Sequence, residues 1–102
     1  MKTFDENDAI KFIREYVPAA IKNKYSDNDI LLLMDTMYDF YDEEDDDEIY
    51  EEESVDNEAF VNRIVNYVKK AIRKDPDNNI DMDDVKPLVL GEIAYESTLD
   101  II

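Results

Sequence analysis

Apolar residues recur three and four positions apart through four stretches of the chain, and polar punctuation separates the stretches. The first holds Ala9, Ile10, Ile13, Tyr16, Val17, Ala20 and Ile21, a spacing that gathers them on one helical face. Thr3 with Glu6 three residues on is a capping-box pattern, so a helix is expected from about Asp5 to about Asn23. Pro18 lies within it. Proline has no N–H to donate to the Arg14 carbonyl, which predicts a kink or break near Tyr16 and Val17.

Ser26 and Asp29 form a second capping box. The helix they start carries Ile30, Leu33, Met34, Met37, Tyr38 and Tyr41 as its buried stripe, widened by Leu31, Leu32 and Phe40, which marks it as the expected centre of the core. Ser54 or Asp56 is the expected cap of a third helix bearing Phe60, Val61, Ile64, Val65, Tyr67, Val68, Ala71 and Ile72. Lys69, Lys70, Arg73 and Lys74 crowd its last turns, where cations complement the negative helix end, and Asp75 to Asn79 supply turn chemistry. The fourth helix, with Val85, Leu88, Val89, Ile93 and Leu99 inward, must accommodate Pro87. A cap at Asp83 or Asp84 would put the proline in the first turn, where its missing N–H has no partner to lose. Gly91 costs about 1 kcal/mol relative to alanine in a helix interior, which suggests a second backbone passing close by.

The two halves of the chain repeat each other. Fifty-one positions apart, Ile13, Tyr16, Val17, Ala20 and Ile21 meet identical residues at Ile64, Tyr67, Val68, Ala71 and Ile72, and Lys22 meets Arg73. Past the turn the shift becomes 55, pairing Asp29, Ile30, Leu33, Met34 and Phe40 with Asp84, Val85, Leu88, Val89 and Tyr95, and Thr36 with Gly91. One Gly and three Pro are too few for a turn-rich β architecture. The expectation is an all-α protein: a compact four-helix domain made of two similar helix-turn-helix units with approximate two-fold pseudosymmetry. The whole chain, 1–102, forms a single domain in this reading, with helical hairpins at about 4–41 and about 56–102 joined by an acidic linker at 42–55.

Charge alters that picture most at the midpoint. Asp42, Glu43, Glu44, Asp45, Asp46, Asp47, Glu48, Ile49, Tyr50, Glu51, Glu52 and Glu53 put ten carboxylates into twelve residues, and no Lys or Arg occurs between Tyr25 and Asn62. Carboxylates this dense must stay in water. The run reads as a solvated linker or, with Tyr50 as an apolar anchor beside Ile49, as a candidate interaction surface. The net charge of −17 repels nucleic acid and anionic membrane and attracts basic proteins. The expected partner is therefore a basic protein, with no direct nucleic-acid or membrane binding, and the chain is expected as a monomer or weak homodimer.

Chemistry is sparse. Without Cys or His there is no thiolate, no imidazole and none of the common zinc or haem ligand sets. No cofactor is expected, and Glu92 and Glu96, one turn apart, read as a solvated helix face rather than as catalytic acids. Asp75, Asp77 and Asn79 have the first three ligand spacings of a calcium-binding EF-hand loop, a resemblance confined to that loop. Ile80 stands where such a loop needs glycine, and Lys86 where it needs a bidentate carboxylate. The sequence thus points to a non-enzymatic acidic interaction or regulatory module. A DNA-mimic inhibitor of a nucleic-acid-binding protein is the alternative, and weak calcium binding a remote one. An early acidic N-terminus and the lack of any apolar run near the roughly 20 residues of a membrane span suggest a cytoplasmic location.

Overall fold

A computed structural model describes residues 5–44, 56–75 and 78–98, the side chain of Glu44 excepted. These residues form five helices and no strand: α1 (Glu6–Tyr16), α2 (Ala19–Lys22), α3 (Asp27–Glu44), α4 (Glu58–Lys74) and α5 (Met82–Ser97). Five stand where four are expected because Pro18 divides the first. Val17 still donates its N–H to the Ile13 carbonyl at 3.0 Å, and the chain turns helical again when Ile21 and Lys22 donate to the Pro18 carbonyl. Arg14 spans the break, donating to the Lys22 carbonyl at 2.8 Å and to Asp27 at 2.6 Å. One guanidinium thus ties the ends of α1 and α2 to the start of α3.

Three helix caps differ from the sequence reading. Asp5 caps α1, accepting from the N–H groups of Asn7 and Asp8, while Thr3 lies outside the described residues. Asn57, rather than Ser54 or Asp56, caps α4 by accepting from the Phe60 N–H. The last helix begins at Met82 after Asp81, so Pro87 sits in its second turn and deprives the Asp83 carbonyl of an intrahelical donor. Asp83 is exposed, and water can serve that carbonyl. The Ser26–Asp29 capping box is present as expected, each side chain accepting from the other residue's N–H at 3.2 Å.

The centre of the core also moves. Helix α5, not α3, is central: it packs against α1, α4 and α3, and buries Val85, Leu88, Val89, Gly91, Glu92, Ile93 and Tyr95. Burial at adjacent positions requires neighbours on several sides of a helix. By contrast, α3 buries Ile30, Leu33, Met34, Met37, Phe40 and Tyr41 but exposes Asp35, Asp39, Asp42 and Glu43. Its carboxylates confine it to the periphery. One hydrophobic cluster draws residues from every helix, and the Cα radius of gyration of 13.0 Å is that of a compact folded chain of this length.

Candidate functional site

The acidic surface begins earlier than the acidic run. On α3 the exposed Asp35, Asp39, Asp42 and Glu43 follow the three- and four-residue spacing of one helix face. With a rise of about 1.5 Å per residue, Asp35 and Asp39 are separated by about 6 Å along the axis, and Asp35 and Glu43 by about 12 Å. No ion pair reaches Asp35, Asp39 or Asp42 among the described residues. Helix α3 itself extends to Glu44. The helix thus runs about three residues past its expected end near residue 41, and Asp42, Glu43 and Glu44 lie in its last turn. Of the other candidate residues, Asp45, Asp46, Asp47, Glu48, Tyr50, Glu51, Glu52 and Glu53 lie outside the described residues. Asp35 and Asp39 are legible as surface residues by their spacing, although the denser run beyond them dominates the charge pattern.

A basic helix end meets this row. Glu43, Tyr67, Lys70, Ala71 and Lys74 line an open cleft of about 400 Å³ between the ends of α3 and α4. Tyr67 hydrogen-bonds Glu43, and its phenol is held above its ordinary pKa by burial, by the charge of Glu43 and that hydrogen bond, and by Asp39. Phe40 lies beneath, 5.5 Å from the Tyr67 ring and 6.1 Å from Phe60, with the Arg63 guanidinium 5.9 Å from its centroid. This aromatic packing fixes the end of α3 against α4 and gives its carboxylates a rigid base.

A second polar group joins the two halves of the chain. Lys24 donates to Asp81 at 2.6 Å and to Asp84 at 2.8 Å, Tyr25 donates its O–H to Asp84 at 2.6 Å, and the Asp81 N–H donates to the Tyr25 oxygen at 3.0 Å. The hydrogen bonds to Asp81 and Asp84 raise the Lys24 pKa. Those from Lys24 and Tyr25 lower that of Asp84. Burial, then the bond to Asp84, raises that of Tyr25. Asp84 is thereby committed to Lys24 and Tyr25, although a calcium loop begun at Asp75 and shortened by two residues would end on it. In that loop Asp75 and Asn79 are exposed and Ile80 is buried, Asn78 accepts from the Ile80 N–H, and Asp77 lies outside the described residues. Among the described residues no group of three or more acidic side chains is placed to hold a metal ion.

Glu92 corrects the sequence most sharply. It is fully buried, at 0% exposure, and Glu96 is half-buried, where a solvated face was expected. Glu92 takes the place that Met37 holds 55 positions earlier, at the centre of the most enclosed helix. The phenol of Tyr38 is raised above its ordinary pKa by burial first and then by the negative charges of Glu92, Glu96, Glu6 and Asp35. Carboxylates of α1, α3 and α5 therefore share one neighbourhood.

Comparison with protein-family models, with curated proteins and with solved structures finds no match to this chain. No helix among the described residues is long and apolar enough to cross a membrane.

Proposed function

We propose that this protein is a non-enzymatic interaction or regulatory module whose acidic helical surface engages a basic protein partner. The carboxylate row of α3 carries the reading. Asp35, Asp39 and Asp42 are exposed and, among the described residues, in no ion pair, on a helix whose opposite face is anchored in the core. A net charge of −17 speeds encounter with a cationic protein and repels nucleic acid. The proposal assigns no catalytic step and no cofactor, and places the protein in the cytoplasm as a monomer or weak homodimer.

The same proposal treats the chain as two copies of a helical hairpin related by an approximate two-fold axis. Its support is the matched burial of Ile13 with Ile64, Val17 with Val68, Ile21 with Ile72, Leu33 with Leu88 and Phe40 with Tyr95.

Mimicry of DNA is the second reading, and the helical placement of the α3 carboxylates favours it over a purely flexible acid run. The row is sparser than a nucleic-acid strand, however. DNA presents a phosphate about every 3.4 Å of axis on each strand, against one carboxylate per turn of about 5.4 Å on a helix face. Calcium binding remains the remote reading, opposed by the commitment of Asp84 to Lys24 and Tyr25.

The test is capture from cell lysate at about 0.15 M salt, where charges more than roughly 8 Å apart are screened. The full chain and its Asp35→Asn/Asp39→Asn variant serve as baits. A basic protein held by the parent, lost by the variant and released by high salt but not by duplex DNA is the expected result. Release by duplex DNA moves the mimic reading to first place, and equal retention by both baits contradicts a role for α3.

A further inference from the structure

Tyr16 is the large apolar side chain that stays exposed among the described residues, at 44%. Its ring stacks on Phe12 with centroids 6.2 Å apart and an 18° interplanar angle, and Phe12 leans on the buried Tyr95 at 5.6 Å. The matching tyrosine of the second half, Tyr67, is covered by Phe40 and hydrogen-bonded to Glu43. Tyr16 is therefore left open where its counterpart is closed.

Two shallow hollows flank the pair. Phe12, Glu15 and Tyr16 line one of about 240 Å³, and Asp8, Lys11, Phe12, Glu15 and Tyr95 line a neighbouring one of about 190 Å³. Asp8 and Glu15 are exposed and make no ion pair among the described residues. An aromatic face beside a carboxylate matches one side chain above others. A guanidinium stacks flat on the ring while its edge donates to the acid, whereas a compact, strongly hydrated ammonium gains less from the ring. Of these two hollows Lys11 lines only the second, which leaves the first without a lining cation.

We propose that Phe12, Glu15 and Tyr16 form a docking site for an arginine side chain of the basic partner. This rests on the reading of the protein as an acidic interaction module. The α3 row attracts lysine and arginine alike, and the α1 site distinguishes them.

The experiment compares two synthetic peptides, a repeat of Arg-Gly-Ser and its Lys-Gly-Ser counterpart, binding to the full chain at about 0.15 M salt. Backbone amide shifts report the affinity. A cation–π contact at an exposed site corresponds to a preference of about two- to fivefold for arginine, with the largest shifts at residues 8–17. Tyr16→Ala, which removes an exposed ring and is expected to keep the parent's urea midpoint, should abolish that preference and leave the lysine peptide's affinity within about twofold. If the parent shows no arginine preference, or Tyr16→Ala retains it, the docking site is wrong while binding to a basic partner stands. If neither peptide binds the parent, both are wrong.

Discussion

A Cβ placed on Gly91 would lie 3.3 Å from Cγ2 of Ile13 and 3.4 Å from its Cα, so α5 runs against the backbone of α1 at that residue. Replacing a helix-interior glycine by alanine ordinarily gains about 1 kcal/mol. Here the added methyl must displace the Ile13 side chain or backbone by a few tenths of an ångström. Gly91→Ala is expected to leave the urea-unfolding free energy near the parent's, and Gly91→Val to lower it by about 1–3 kcal/mol through overpacking. A gain of a full kcal/mol in Gly91→Ala would show that the helices have room to separate.

Glu92 occupies a position where burial disfavours the charged form of a carboxyl group, in a neighbourhood shared with Glu6, Asp35 and Glu96. Glu92→Gln keeps the volume and removes the charge. It is expected to raise the thermal midpoint at pH 7, since a buried charge costs several kcal/mol before compensation. A fall in the midpoint would mean that the carboxylate form is required by its surroundings.

The group formed by Lys24, Tyr25, Asp81 and Asp84 should hold across a wide pH range. Asp84 has a lowered carboxyl pKa, so its contribution is complete above the ordinary carboxylate range and is lost only as pH falls below it. Lys24 and Tyr25 have raised values. Their contributions are complete below their ordinary values near pH 10 and fade as pH rises further. Tyr25→Phe removes two hydrogen bonds, one to a carboxylate, and is expected to cost roughly 1.5–3 kcal/mol at pH 7. Urea unfolding at pH 3, 7 and 11 checks both statements: the penalty should be largest at pH 7. A penalty independent of pH would assign the loss to packing.

Arg14 offers a separate test of the break at Pro18. Its guanidinium joins Lys22 and Asp27 at the surface, so Arg14→Met should lower stability by about 0.5–1.5 kcal/mol and speed amide exchange at residues 19–22. Unchanged exchange there would show that Ile21 alone secures α2.

Much of this architecture was legible because amphipathic periodicity is a local property. The Pro18 break, the Ser26–Asp29 box and the close approach at Gly91 each follow from one or two residue types at fixed positions. Helix starts were misplaced where several polar residues compete for one cap, as Ser54, Asp56 and Asn57 do before α4. The central helix is illegible in the sequence for a different reason. Tallying apolar residues favours α3 with its three consecutive leucines, but Leu31 and Leu32 are only half-buried, while α5 encloses even Glu92. Burial of a carboxylate depends on residues distant in the chain, and nothing in its local pattern announces it. The aromatic pair of Phe12 and Tyr16 was hidden likewise, since Tyr16 shares its repeat position with the covered Tyr67.

The most direct measurement sets local charge against total charge. A Lys-Gly-Ser repeat peptide is titrated at about 0.15 M salt into the parent, into Asp35→Asn/Asp39→Asn, and into Glu58→Gln/Asp83→Asn, which removes two exposed carboxylates from other helices. If α3 presents the binding row, the first variant loses roughly fivefold in affinity, a little under 1 kcal/mol, and the second stays within about twofold of the parent. Equal losses in the two variants would reduce the effect to net charge and contradict a binding surface on α3.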